Sequence, residues 1–297
     1  MKKKIRLLVL PLALGCAILL HSCVTGDGNE STETISETTN EQDDFKKEQI
    51  RKILYTIPSP MSMASLIKKA GANFDKELMN SVSGLSNYNT SSQQALNLGI
   101  YGADLSYSSM FDQDHEAILY LSAVQKLCTE LGIEGAIDSN IYERLNAHMG
   151  DRDSVLNIVS ETYFSLDIYL KKADREDLLA LIIAGGWFEG LHLATAHLSA
   201  KTPELRQRVA EQKYAIEDLK KLLDSYEASD ILTEVKKDVN EMAAAYAGVE
   251  INKGKTETST DNSGTTVIGG SSEVVMSDET LALITEKIHT IRDKYTK

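Results

Sequence analysis

Leu178-Leu-Ala-Leu-Ile-Ile-Ala-Gly-Gly-Trp-Phe188 is an eleven-residue run without a charge. It falls short of the roughly 20 apolar residues that a membrane-spanning helix needs. A helix that is apolar all round and too short to span belongs in the centre of a folded body. The run lies within a helical pattern over 175–199, so the fold must be built around that helix.

The pattern outward from it is helical almost throughout. Upstream, a first helix is expected over 42–54. Pro58 and Pro60 interrupt it, and Pro60 suits the first position of a helix ending near Gly71. Thr90-Ser91-Ser92-Gln93 has the form of a capping box and opens a helix to about 108. The Asn89-Thr90-Ser91 triplet matches a glycosylation acceptor in form and reads better as this cap. Ala117, Tyr120, Leu121, Val124, Leu127, Cys128 and Leu131 form one stripe over 114–131, and Gly132 suits its stop. Cys128 on that stripe reads as a buried, inert thiol. Helices over 139–148 and 152–172 lead into the central one.

Downstream, Thr202-Pro203 has the form of a cap followed by a first-turn proline. Val209, Gln212, Ile216, Leu219 and Leu223 then repeat at spacings of 3 and 4, as do Leu232, Val235, Val239, Met242 and Tyr246. Such narrow seams belong to paired antiparallel helices. Residues 252–272 hold four Gly and nine Ser or Thr, the composition of a flexible linker. Leu281, Ile284, Ile288, Ile291 and Tyr295 repeat the seam once more. This final helix is expected to dock on the preceding hairpin, because a tether gives it a high effective concentration. A protein partner is the other user such a seam would suit. The fold class that follows is all-α: a multi-helix bundle with a coiled-coil-like helical hairpin and a linker-tethered final helix.

The first 45 residues have another character. Lys2, Lys3, Lys4 and Arg6 precede an apolar stretch over 7–20, the design of a secretory signal peptide. The stretch ends in Leu20-His21-Ser22-Cys23, which resembles the lipobox of bacterial lipoproteins. The resemblance implies cleavage before Cys23 and acylation of that cysteine, the anchor being made stable by two or more chains. Cys16, after Leu14-Gly15, is a rival that leaves a shorter apolar region. Residues 24–44 carry seven acidic residues, seven Ser or Thr and no Lys or Arg, as a solvated tether does. Val24 is not the aspartate that favours inner-membrane retention, so the resemblance implies an outer-membrane location in the cell envelope. The domains expected are a signal peptide over 1–22, lipidated cysteine and tether over 23–44, a helical domain over 45–250, a linker over 251–274 and a helix over 275–297.

The formal charge of −13 becomes −17 once the four basic residues of 1–22 are removed, since no acidic residue leaves with them. That argues against a nucleic-acid partner, which requires clustered cations. The membrane is the partner expected, through the N-terminal lipid. After acylation of Cys23 and loss of Cys16, Cys128 has no cysteine with which to form a disulfide.

Two helices carry faces of small residues, Ala95, Gly99, Gly102 and Ser106 on one and Gly186, Gly190 and Ala194 on the other. Close helix approach or a ligand resting on bare backbone would explain them. The same helices place acids among apolar neighbours: Asp104 three residues from Tyr101 and Tyr107, and Glu189 two after Trp187 and three before His192. These six residues either satisfy one another in the core or line a ligand pocket. Glu189-x-x-His192 and Glu286-x-x-His289 have the spacing of di-iron bundles, a weak signal in a Glu-rich chain. His115, His148 and His197 have no partner at ligand spacing and read as surface or boundary residues. No metal, cofactor or catalytic signature is otherwise present.

The string Ala95-Leu-Asn-Leu-Gly-Ile-Tyr-Gly-Ala-Asp-Leu105, with Pro58-Ser59-Pro60 before it and Gly185-Gly-Trp-Phe-Glu-Gly190 after it, resembles helical lipoproteins of the Bacteroidetes type. The resemblance covers about 45–250 and implies no activity. The expectation is a membrane-anchored envelope lipoprotein, a non-enzymatic binding or interaction module. A small-ligand receptor or enzyme using a pocket around Asp104 and Glu189 is the alternative.

Overall fold

The computed structural model describes residues 57–148, 151–175, 177–199, 202–226, 229–260 and 266–297. The expected signal peptide, Cys23, the acidic tether and the helix over 42–54 lie outside them.

The local signals act where the sequence puts them. Ser59 caps the first described helix, α1 (Pro60–Lys69), with Pro60 in its first turn. Thr90 and Gln93 close the capping box that starts α2 (Ser91–Met110). α3 (Asp114–Leu131) ends on Gly132, whose φ of +64° is the left-handed conformation a helix stop needs. α4 (Ile141–Ala147) and α5 (Arg152–Lys171) follow, then α6 (Asp177–Ala196), α7 (Pro203–Asp224) and α8 (Asp230–Tyr246). Thr202 precedes α7 but makes no side-chain cap; its hydroxyl bonds Ser199 instead. The final helix is α9 (Asp278–Thr296), capped by Ser277. The protein is an all-α bundle apart from one small ribbon.

α6 is the hub. Taken whole, the helix is long and apolar enough to cross a membrane, which the eleven-residue run alone is not, yet its apolar window is wholly buried inside the protein. It packs most extensively on α2, and also against α1, α5, α7, α8 and α9. Glycine sets the closeness of the α2–α6 crossing. A Cβ on Gly99 would collide with the carbonyl oxygen of Ile182, and one on Gly185 with that of Leu96. The two backbones are therefore in direct contact, which only a residue without a side chain permits.

The seams of α7 and α8 are buried at all ten positions named above, and the two helices pack on each other. Ile284, Ile288, Ile291 and Tyr295 of α9 are buried too, as α9 packs against α6 and α8. The last helix thus docks on its own chain, and the seam that would have suited a protein partner is used internally.

The segment read as a flexible linker is different. β1 (Glu250–Thr260) pairs antiparallel with β2 (Thr266–Val275), with a bulge between Lys253 and Thr256. Ile251, Thr256, Thr258, Thr260, Thr266, Val267 and Ile268 are β-branched and favour extended backbone. A Gly, Ser and Thr count hides that preference. Val274 and the following Met276 are buried and tie the base of the ribbon to the body.

Candidate functional site

The α2–α6 contact brings Asp104 and Glu189 together inside the core, each 0% exposed. Backbone contact one turn away leaves little space between the helices, so acids on the facing positions must meet. Asp104 Oδ2 accepts from the backbone N–H of Asn80 at 3.0 Å, while Oδ1 has no donor. Burial raises the Asp104 pKa well above the ordinary carboxylate range, and the neighbouring Glu189 raises it further. Both effects favour a protonated Asp104 carboxyl beside the Glu189 carboxylate.

Glu189 is held from the other side by Arg292 of α9. The guanidinium donates from Nε to Oε2 at 3.0 Å and from Nη2 to Oε1 at 3.1 Å. Nη2 also donates to the carbonyl of Leu78 at 3.2 Å. With Asp104 protonated, one anion faces one cation, and the buried group is neutral overall.

His192 Nε2 lies 3.1 Å from the same Leu78 carbonyl, which can only accept, so Nε2 carries a proton. Its Nδ1 and the Nε2 of His289 are buried without partners. The two rings pack with centroids 4.6 Å apart. Burial lowers the pKa of both histidines, so both are neutral at pH 7.

The remaining predicted residues point elsewhere. Tyr101 donates to the Ser81 carbonyl at 2.9 Å, beside the group. Tyr107 accepts from the Asp75 N–H at 2.9 Å and bonds His197 Nε2 at 2.8 Å. Burial pushes the Tyr107 phenol up to about 12. Trp187 donates to Gln212 Oε1 at 3.0 Å, on the α7 side of α6. Asp104, Glu189 and His192 therefore share one network, Tyr101 lies beside it, and Tyr107 and Trp187 belong to two others. Glu286 is exposed, and no group of three or more His, Cys, Asp or Glu among the described residues can hold a metal ion. The di-iron spacing thus brings two histidines together without a ligand set.

Sequence reasoning missed Asn80 and Arg292, and met His289 only through the Glu286-x-x-His289 spacing. Asn80 sits in a loop and serves the network through its backbone N–H and its carbonyl, which accepts from Tyr120 at 2.7 Å. Arg292 had one legible signal. It lies four residues beyond seam residue Ile288, so docking the seam carries a cation toward the core, where it needs an acid.

On the other flank of the α2–α6 pair lies an apolar cavity of about 260 Å³. α2 contributes Leu98, Gly102 and Leu105, α3 Val124 and Cys128, α5 Leu166, and α6 Ile182. None of the six predicted site residues lines it. A Cβ on Gly102 would meet no atom within 4 Å, so this glycine, unlike Gly99, opens on space. The small-residue face of α2 therefore divides: Gly99 serves packing and Gly102 faces the cavity. Cys128 is buried, and burial pushes its thiol up to about 11, which leaves it neutral.

No protein-family model matches the chain, and no curated protein or solved structure was found similar to it.

Proposed function

We propose that the chain is a lipid-anchored protein of the cell envelope, at the outer membrane, whose helical body is a non-catalytic binding module. The anchor rests on Leu20-His21-Ser22-Cys23 and on the acidic tether behind it. The binding role rests on one observation, the cavity of about 260 Å³ left open beside a helix pair otherwise packed backbone to backbone. Small-molecule sites are concave and mostly apolar.

A receptor or enzyme working through Asp104 and Glu189 finds no such support. Both carboxyls are fully buried, and their polar partners come from the chain itself. A substrate would have to displace Arg292 to reach them.

Two measurements test the proposal. Labelling of cells with a clickable palmitate analogue should mark the wild-type chain and not Cys23→Ala; label persisting in the variant overturns the anchor. Mass spectrometry of the chain purified from membranes should find a co-purifying molecule that Gly102→Leu loses. A chain that carries none overturns the binding role.

A further inference from the structure

We propose that the cavity between α2, α3, α5 and α6 takes a small, uncharged hydrocarbon group, a ring or short alkyl chain somewhat larger than benzene. This rests on the binding-module reading and adds the class of ligand.

The walls set the chemistry. Three of the four hydroxyls on the described lining, all but that of Ser109, are already engaged by the protein. Ser106 donates to the carbonyl of Gly102 at 2.8 Å, and Thr162 to that of Ile158 at 2.8 Å. Ser59 caps α1 and bonds the Ser62 hydroxyl at 2.9 Å. Each of these groups is turned to its own helix, so the surface left to a ligand is mainly carbon. Cys128 adds a neutral, polarisable thiol. A charged ligand group would find no counter-ion among the described lining residues, and burying an unpaired charge is strongly unfavourable.

Size and shape narrow the class. A dry apolar cavity of about 150 Å³ accepts benzene. The one seen here is about 260 Å³ and open on one side, room for a fused pair of rings or a ring with a short chain. Gly102 contributes to that room directly. Any side chain there would project into the cavity and meet nothing else. Two glycines one turn apart therefore serve opposite ends: Gly99 closes the helix crossing, and Gly102 keeps the space beside it open.

The test uses the full chain in phosphatidylcholine vesicles, with naphthalene as probe and naphthalene-2-sulfonate as its charged counterpart. Methylthiolation of Cys128 by methyl methanethiosulfonate is followed on the peptide that carries it, so the other cysteines do not interfere. Saturating naphthalene should slow the reaction at least tenfold and raise the melting temperature, and the sulfonate should do neither. Gly102→Leu should slow the reaction without any probe and abolish the naphthalene response. Val124→Phe, which fills the same space from α3, should do likewise and keeps the test open if Gly102→Leu does not fold. Equal protection by the sulfonate, or no protection by naphthalene, overturns the inference. So does a Cys128 that is slow in wild type and insensitive to probe, because the protein itself then closes the cavity. The binding-module reading fails separately, when nothing co-purifies with the chain; a polar molecule or a partner protein that does co-purify removes only the hydrocarbon assignment.

Discussion

Arg292, in the last helix, closes a two-point ion pair on Glu189 at the centre of the fold, 103 positions earlier in the chain. The last helix thereby supplies the counter-charge without which the core acid would be stranded.

Breaking that pair by one partner leaves a charge buried and uncompensated. Such losses cost about 3–5 kcal/mol. Arg292→Met should destabilise by that amount in urea unfolding, and the double variant Glu189→Gln with Arg292→Met should recover most of it. Additive losses in the double variant would show that the two side chains act independently.

Truncation after Val249 removes the ribbon and α9 together. It exposes the α6 and α8 surfaces beneath Ile284, Ile288, Ile291 and Tyr295 and leaves Glu189 unpaired. With each kcal/mol worth roughly 2–4 °C in a body of this size, the melting temperature should fall by on the order of 10 °C. An unchanged melting temperature would mean that α9 contributes nothing as a docked helix.

The raised pKa of Asp104 makes stability depend on pH in a known direction. Above the ordinary value of 3.8 the unfolded chain releases this proton while the folded chain keeps it. The folded state then binds more protons, so its stability falls as pH rises through that window. Asp104→Asn keeps a donor beside Glu189 and an acceptor for Asn80. It should flatten the slope and be at least as stable as wild type at pH 9. Asp104→Ala strands the Asn80 N–H and should cost about 1–3 kcal/mol. Parallel pH–stability curves for wild type and Asp104→Asn would remove the proton from Asp104.

His192 and His289 work in the opposite sense. Their folded pKa values lie below the ordinary 6.5, lowered first by burial. As pH falls below 6.5 the unfolded chain takes up protons that the folded chain resists, so stability declines toward acid. The charged groups around them are Glu189, Arg292 and Asp293. Replacing both histidines by Asn should shrink the loss of stability between pH 6.5 and 5; an undiminished loss would place the acid sensitivity elsewhere.

Two glycines one turn apart should respond with opposite signs. Gly102→Ala gains helix propensity at no steric cost and should stabilise by about 0.5–1 kcal/mol. Gly99→Ala drives a methyl into the Ile182 carbonyl and should cost at least about 1–3 kcal/mol. Chemical denaturation of the two variants side by side measures the difference directly, and matching signs would mean that the helix crossing is looser than described.

The helical architecture was legible because helix signals are local. Thr90 with Gln93, Pro60, Gly132 and the 3–4 seams act between residues a turn or two apart, and neighbours in sequence suffice to reveal them. Docking of α9 could be expected from its seam for the same reason. The ribbon over 250–275 was not legible. Its Thr, Val and Ile residues signal strand only weakly, and Gly and Ser signal linker, so pairing decided the outcome.

At the candidate site the division is equally physical. The sequence by itself determined that Asp104 and Glu189 lie on small-residue helix faces among apolar neighbours, where an acid must find a partner. Only the tertiary structure decided which partners those are. Asn80 comes from a loop and Arg292 from the last helix, and nothing within a few residues of either acid encodes them. Tertiary packing alone also separated Gly99 from Gly102, because the space beyond a glycine belongs to whatever helix packs against it. Local hydrogen bonding and periodicity are written in adjacent residues, whereas long-range charge pairing and empty space exist once the helices have met.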